Sequence, residues 1–341
     1  MQHELSKGPL LDKKGNLVEA GFAFRMVKEY DRKKIKAGKS RIKEWDYYYI
    51  GNNEKGVAFT IDDNSLYGLG SVSILDFKKK EYITKSSMKF FTWGKIGFPS
   101  SSDEGDITWQ DKNYYLHFIN QDKKRTIDVK IKEYTEGEPF EAHFDLEEVM
   151  EDSMVIATPF NKRAHFYYNE KKNCIVASGY YIYKGEKVEF SKKDTRAILD
   201  WGRGVWTYKN TWYWSGLSGL SNGKEVGFNL GYGFGDTSAA SENMLFYDKK
   251  AYKLEDVIFE IPQDEKGNYE YLKPWKIHSQ DGAIDLSFTP ILDREDNTDF
   301  VILKSLQHQV FGLFNGTIKY QDLEVKIDNI VSFAERVTNY W

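Results

Sequence analysis

The amino-acid sequence predicts an all-β protein made of two similar antiparallel β domains with little helix. Three observations lead there. The chain is rich in aromatics and poor in proline, with 23 Tyr, 22 Phe and 9 Trp against 7 Pro in 341 residues, a balance that suits pleated, half-buried surfaces. Turn-forming Gly, Asn, Asp or Lys-Lys interrupts it about every eight to twelve residues, the rhythm of a sandwich or barrel. The second half also repeats the first.

Taken in order, residues 1–20 read as a polar lead-in, and Gly21–Met26 as a short first strand. The basic run Arg32–Arg41 is expected to be a solvated loop. Lys43–Gly51 follows as a strand whose alternation puts Glu44 and Asp46 on one face and Trp45 on the other. Gly56–Ile61 is its hairpin partner, and further strands are expected at 69–77, 87–93, 106–109, 113–119 and 125–132. Two segments carry helix signals, Asp145–Asp152 and Asn329–Tyr340.

The repeat rests on three blocks. Trp45-Asp-Tyr-Tyr lies on Trp212-Tyr-Trp-Ser, with Gly56-Val-Ala-Phe following near Val226-Gly-Phe-Asn. Ile74–Lys79 meets Leu245–Lys250. Trp109–Phe118 aligns without a gap onto Ser279–Phe288, with Gln, Asp, Leu and Phe identical. A repeat this long is a duplicated domain rather than a solenoid of about 20–50-residue units. The expected division is a lead-in over 1–20, a first β domain over 21–165 and a second over 166–341.

A formal charge of −4, with lysine runs interleaved with acids, gives no footprint for nucleic acid. The single cysteine, Cys174, excludes an intrachain disulfide and a cysteine metal cluster. None of the six histidines stands at metal-ligand spacing, so no metal is expected. No apolar run reaches the ~18 residues of a membrane span, and Met1–Lys7 does not read as a signal peptide, so the cytoplasm is the expected compartment. Gly231-Tyr-Gly-Phe-Gly lacks the spacing of a dinucleotide loop, and the serines near 215–221 lack a nucleophile elbow.

The candidate chemistry gathers in residues 200–247, where Trp201, Trp206, Trp212 and Trp214 stand among glycines and a few polar groups. Large aromatics beside small residues make the wall of an apolar pocket. Asp200, Asp236 and Glu242 are the candidate proton donors, because a carboxyl pressed against tryptophan in an apolar pocket has its pKa raised. Arg203 either sets the charge state of Asp200 or forms with it a buried ion pair bracing a barrel corner. Candidate ligand contacts are Trp45, Trp201, Trp206, Tyr208, Trp212, Trp214, Asn229, Tyr232, Asn243 and His308. Tyr208, Tyr213 and Tyr232 are more often core or rim aromatics than acids. His308 alternates with Val310, which places its imidazole inside a barrel, where a satisfied core histidine is the plainer role.

Asp200-Trp-Gly-Arg-Gly-Val-Trp with Trp212-Tyr-Trp, Gly227–Asp236, Ser238–Asn243, Asp293-Arg294, His308–Gly312 and Phe333–Val337 resemble the signature of the domain-of-unknown-function family 2804. At longer range that family is similar to tandem lipocalin-like proteins: AttH-like proteins, carotenoid hydratases, tocopherol cyclases and fungal cyclases of the Diels–Alder type. The resemblance implies two lipocalin-like barrels, an apolar ligand site in or between them, and chemistry without metal or organic cofactor. The expected function is binding of a hydrophobic or amphipathic small molecule (a lipid, isoprenoid or polyketide-like compound), with acid-catalysed hydration, isomerisation or cyclisation. The alternatives are a lipid carrier or sensor without catalysis, and a carbohydrate-binding surface.

Overall fold

A computed structural model describes residues 2–300 and 303–340. Its strands form two large antiparallel sheets, each a curled half-barrel, and a separate two-residue parallel pair near the N-terminus. In the first sheet the path runs 81–90, 67–76, 55–63, 43–51, 196–205, 166–183, 138–147, 124–135, 114–121 and 105–110. In the second it runs 250–253, 244–247, 224–232, 209–221, 323–340, 303–320, 284–300, 275–279 and 257–260. Helix is confined, among the described residues, to two short 3-10 turns inside the basic loop, Arg32–Lys34 and Lys39–Arg41.

The two sheets have the same plan. Each opens with a four-strand meander, and a second meander then returns to pair its last strand beside the first. The repeat blocks at Trp45/Trp212 and Ile74/Leu245 fall on equivalent strands. The third is one strand out of step: Trp109–Phe118 spans the fifth and sixth strands of its sheet, Ser279–Phe288 the sixth and seventh.

The change of sheet falls between Val205 and Lys209, not at 165/166. Phe166–Tyr183 and Arg196–Val205 pair with each other, and Arg196–Val205 closes onto Lys43–Gly51, so hydrogen bonding commits 166–205 to the first sheet. The lead-in is likewise more than polar cover. Leu5, Leu10 and Leu11 are buried in the first core, while the His3 amide donates to Ala239 O and the Gln2 side chain to Leu254 O in the second half.

Neither segment with helix signals is helical. Asp145 lies in the strand Glu138–Glu147, and Asn329–Tyr340 is the end of Leu323–Tyr340, buried on both faces. Strand burial on both sides removes the alternation that marks a strand.

The interiors are filled with side chains. Tyr48, Ile50, Phe59, Trp109, Phe144 and Trp201 belong to the first core; Phe228, Trp275, Phe288 and Phe314 belong to the second. A third apolar cluster takes the opposite faces of the same strands and joins the half-barrels: Tyr47, Tyr49, Phe77 and Ile198 meet Trp214, Phe311, Val331 and Phe333. A bulge at Lys172/Ile175 adds a polar tie, sending Asn173 across to donate to Leu217 O and Phe228 O. No helix of the described residues is long and apolar enough to cross a membrane.

Candidate functional site

Side chains fill both interiors, and a candidate space for a ligand lies between the half-barrels. A cavity of about 560 Å³ sits there, within the ~300–1,000 Å³ usual for small-molecule sites. Strand alternation decides who faces it. Odd residues of Lys43–Gly51 turn Trp45 and Tyr47 toward it, while even residues of Lys55–Asp63 contribute Thr60 and Asp62. Tyr167 and Lys171 come from Phe166–Tyr183, Asp200 from Arg196–Val205, Trp212 and Trp214 from Lys209–Ser221, and Glu335 from Leu323–Tyr340.

The aromatic wall is continuous. Trp45 stacks on Tyr167 at 5.8 Å and meets Trp206 edge-on at 5.3 Å. Phe234 joins Tyr167, Trp206 and Trp212 at 4.9, 5.3 and 5.2 Å. The Lys171 ammonium sits 3.7 Å from the Trp214 ring centroid, a cation–π contact.

Four carboxylates share this wall and differ in their surroundings. Asp200 is fully engaged: Lys171 Nζ lies 2.9 Å from Oδ1, Asn169 Nδ2 donates at 2.6 Å, and Trp45 Nε1 donates to Oδ2 at 3.0 Å. Glu335 accepts from Trp212 Nε1 at 3.0 Å and Gln309 Nε2 at 2.9 Å, and burial pushes its carboxyl up to about 7. Burial also raises Glu242, against the pull of Lys171 and the Asn229 amide. Burial lifts Asp62 to about 8, opposed by hydrogen bonds from Asn64 and the Leu69 amide, and its Oδ1 has no hydrogen-bond partner. Uncharged acid is therefore present on both walls near neutral pH, Asp62 on the first sheet and Glu335 on the second.

The structure divides the expected site residues. Trp45, Trp206, Trp212, Trp214, Asp200 and Glu242 line the cavity, and Asn229 backs it, accepting from Trp214 Nε1 at 2.7 Å and donating to Glu242. Arg203 does not pair with Asp200. The two point to opposite faces of their strand, and Arg203 is buried in the first core 2.9 Å from Asp46, with Glu44 at 4.0 Å. Lys171 holds the place against Asp200 expected of Arg203. Trp201 shares the face of Arg203, which lies over its ring at 4.0 Å, so it is core.

The remaining expected contacts lie elsewhere. Asp236 is at the surface, its carboxyl lowered by Ser238. Tyr208 is 52% exposed, against Tyr340. Tyr232 stacks on Tyr213 at 4.6 Å in the second half-barrel. Asn243 is structural, accepting from the Gly231 amide and donating to Glu255 O. His308 is a satisfied histidine of the second half-barrel, 2.7 Å from Asp293 and stacked on Tyr271 at 3.8 Å. Among the described residues, no group of three or more His, Cys, Asp or Glu is placed to hold a metal ion.

Glu335, Lys171 and Asp62 are the cavity groups that sequence reasoning missed. For Glu335 a signal exists. Val331, Phe333, Glu335 and Val337 share one strand face, and a lone acid on an apolar face marks a buried carboxyl.

Gly202 explains why the Asp-Trp-Gly-Arg string needs glycine. It pairs across the sheet with Trp45, and a Cβ there would sit 2.2 Å from the indole. Gly202→Ala is expected to displace Trp45, break its bond to Asp200 and cost about 1–3 kcal/mol. Thermal denaturation reads this, and unchanged stability would mean the indole is not held there.

Comparisons place this architecture. The sequence matches the model of the family described as domain of unknown function (DUF2804) over residues 2–341. A search of curated protein sequences found no match. Among solved structures, the chain is similar to an AttH protein from Nitrosomonas europaea, at TM-score 0.56 and 12% identity over 88% of this chain and 93% of that one. It is also similar to kievitone hydratase from Nectria haematococca (TM-score 0.48, 13% identity, 88% of each chain) and to CghA with Sch210972 (TM-score 0.49, 7% identity, 88% of each chain). The chain belongs to the DUF2804 family, and its fold is the tandem lipocalin-like one of the AttH protein.

Proposed function

We propose that the protein binds an apolar or amphipathic, unsaturated small molecule between its half-barrels and transforms it by acid catalysis without a cofactor. One observation carries this: a buried carboxyl that burial raises to about 7, Glu335, faces a cavity walled by tryptophan. Glu335 donates its proton to one carbon of a substrate double bond. The cation that forms is stabilised by the π-faces of Trp212, Trp214 and Phe234. Water captures it and then gives up a proton, or an internal alkene captures it and the new cation loses a proton from the adjacent carbon; in either case that proton returns to the Glu335 carboxylate. Asp62 is a second proton source on the facing wall. Asp200, engaged by three donors, positions Trp45 and Lys171. The tryptophans of the 200–214 cluster turn inward, with Trp206 and Trp214 buried, which favours an enclosed ligand over a carbohydrate platform built on that cluster. The lone, buried, unpaired Cys174 fits a reducing cytoplasm.

The test uses compound extracted from protein purified from its own host. Wild-type protein converts it, whereas Glu335→Gln retains binding and loses turnover by about 10²–10⁴-fold. Equal conversion by Glu335→Gln would remove Glu335 as donor. Absence of conversion by wild-type protein would leave a carrier.

A further inference from the structure

The strand Glu81–Phe90 is one edge of the first sheet. Its even-numbered side chains share one face. Tyr82, Thr84 and Ser86 line the cavity and are exposed, as are Glu295 and Asp296 opposite, so these five mark its mouth. Tyr82 Oη spans that mouth to donate to Glu295 O at 3.5 Å. The same face then runs out of the cavity as Met88 and Phe90, 44% and 71% exposed, and continues into Phe91 and Trp93, 61% and 42% exposed.

These aromatics are held outward by a fixed loop. Phe91 and Trp93 have φ of 57° and 52°, a region bulky residues rarely adopt. Their amides donate to Leu66 O and Ser65 O, and the buried Thr92 between them donates to Asp63 Oδ1 at 2.8 Å. Phe91 and Trp93 stack at 6.2 Å. The surroundings of the loop are basic: Lys95 is exposed beside Trp93, and Gly94 packs against Arg32 at the start of the basic loop, where Lys33, Lys34, Lys36 and Lys39 are exposed. On a chain of net charge −4 this face is the exception. Glu295 and Asp296 stand on the opposite rim, which favours contact through the edge-strand side alone.

We propose that Met88–Trp93 is a ledge that docks on an anionic lipid bilayer, with the aromatics entering the headgroup boundary and the lysines meeting lipid phosphate and carboxylate. The same strand face then leads from the bilayer past Ser86 and Thr84 to the cavity mouth. The route draws its purpose from the apolar-ligand reading, but docking is measured with empty vesicles and stands or fails separately.

The experiment is cosedimentation of the full chain with vesicles of phosphatidylcholine containing about one-third phosphatidylserine. Wild-type protein is expected to bind these and not pure phosphatidylcholine, and to release at about 0.5 M salt. Combined Phe90→Ser, Phe91→Ser and Trp93→Ser is expected to weaken binding at least tenfold or so, with near-ultraviolet circular dichroism checking the fold. Neutralising Lys33 and Lys95 to Gln lowers affinity on the order of 20-fold, whereas neutralising Lys266 and Lys273 leaves it unchanged. Should the aromatic variant misfold, quenching by brominated lipid that is present in wild type and reduced in Trp93→Phe carries the same information. No preference for the anionic vesicle, binding unaffected by the aromatic changes, or ledge-dependent self-association in place of vesicle binding would each overturn the proposal.

Discussion

Glu335→Gln flattens the dependence of stability on pH between about 4.5 and 7 and makes the protein more stable at pH 8. In the folded chain burial raises Glu335 from 4.5 to about 7. Below the lower value both states hold the proton and the group contributes nothing. Between the two values the unfolded chain ionises first, so the native state binds more protons and stability falls as pH rises. Above about 7 the penalty is constant, on the order of 2–3 kcal/mol. Asp62, lifted by burial to about 8, adds a slope of the same sign. The amide substitution removes the Glu335 share. In the wild type the Tyr47 hydroxyl donates to Gln309 Oε1 at 3.2 Å; a flip of the Gln309 amide lets Oε1 accept from the new side chain and the amide nitrogen donate to the Tyr47 hydroxyl. Urea unfolding of both proteins at pH 5 and pH 8 measures the effect, and parallel pH profiles would show that Glu335 titrates normally. The same group predicts that turnover declines as pH rises through about 7, since the donor is then lost.

Arg203→Met is expected to destabilise the fold by about 3–5 kcal/mol, the cost of stranding a buried charge. Arg203 is fully buried, 2.9 Å from Asp46, donates to Trp45 O at 2.6 Å and to Gly202 O at 2.9 Å, and lies flat between Trp201 and Phe98. Burial raises Asp46, and Arg203 supplies the main opposing charge. Glu44 has its own partners in Arg32 and the Tyr30 hydroxyl, so Asp46 is the group left exposed to the low-dielectric core. Adding Asp46→Leu to Arg203→Met should therefore recover much of the loss. Denaturant unfolding checks both, and a loss below about 1 kcal/mol would show that the pair is not desolvated. Because Arg203 faces away from the cavity, folded variant should bind ligand as wild type does.

Much of this was legible in the sequence where local chemistry decides the outcome. The turn rhythm located the strands, and alternation placed Trp45 opposite Glu44 and Asp46. The pocket tryptophans were visible as a cluster. Where long-range pairing decides, the sequence was silent. Asp200 and Arg203 look adjacent along the chain, but a strand sends them to opposite faces, and only the pairing of Lys171 with Asp200 brings the partner in. Ile330, Val331, Phe333, Ala334 and Val337 have helical spacing because the strand is buried on both sides, and that mimicry also hid Glu335. The half-barrel boundary slipped because Phe166–Val205 turns back into the first sheet rather than opening the second.

The central claim, that an apolar molecule occupies the space between the half-barrels, is met most directly by native mass spectrometry of protein purified from its own host. Thr60 lines the cavity, and Thr60→Trp fills it from the first-sheet wall without touching either interior. Wild-type protein is predicted to carry a hydrophobic compound that Thr60→Trp lacks. Wild-type protein free of any such compound, or a Thr60→Trp variant carrying the same mass, would contradict the account.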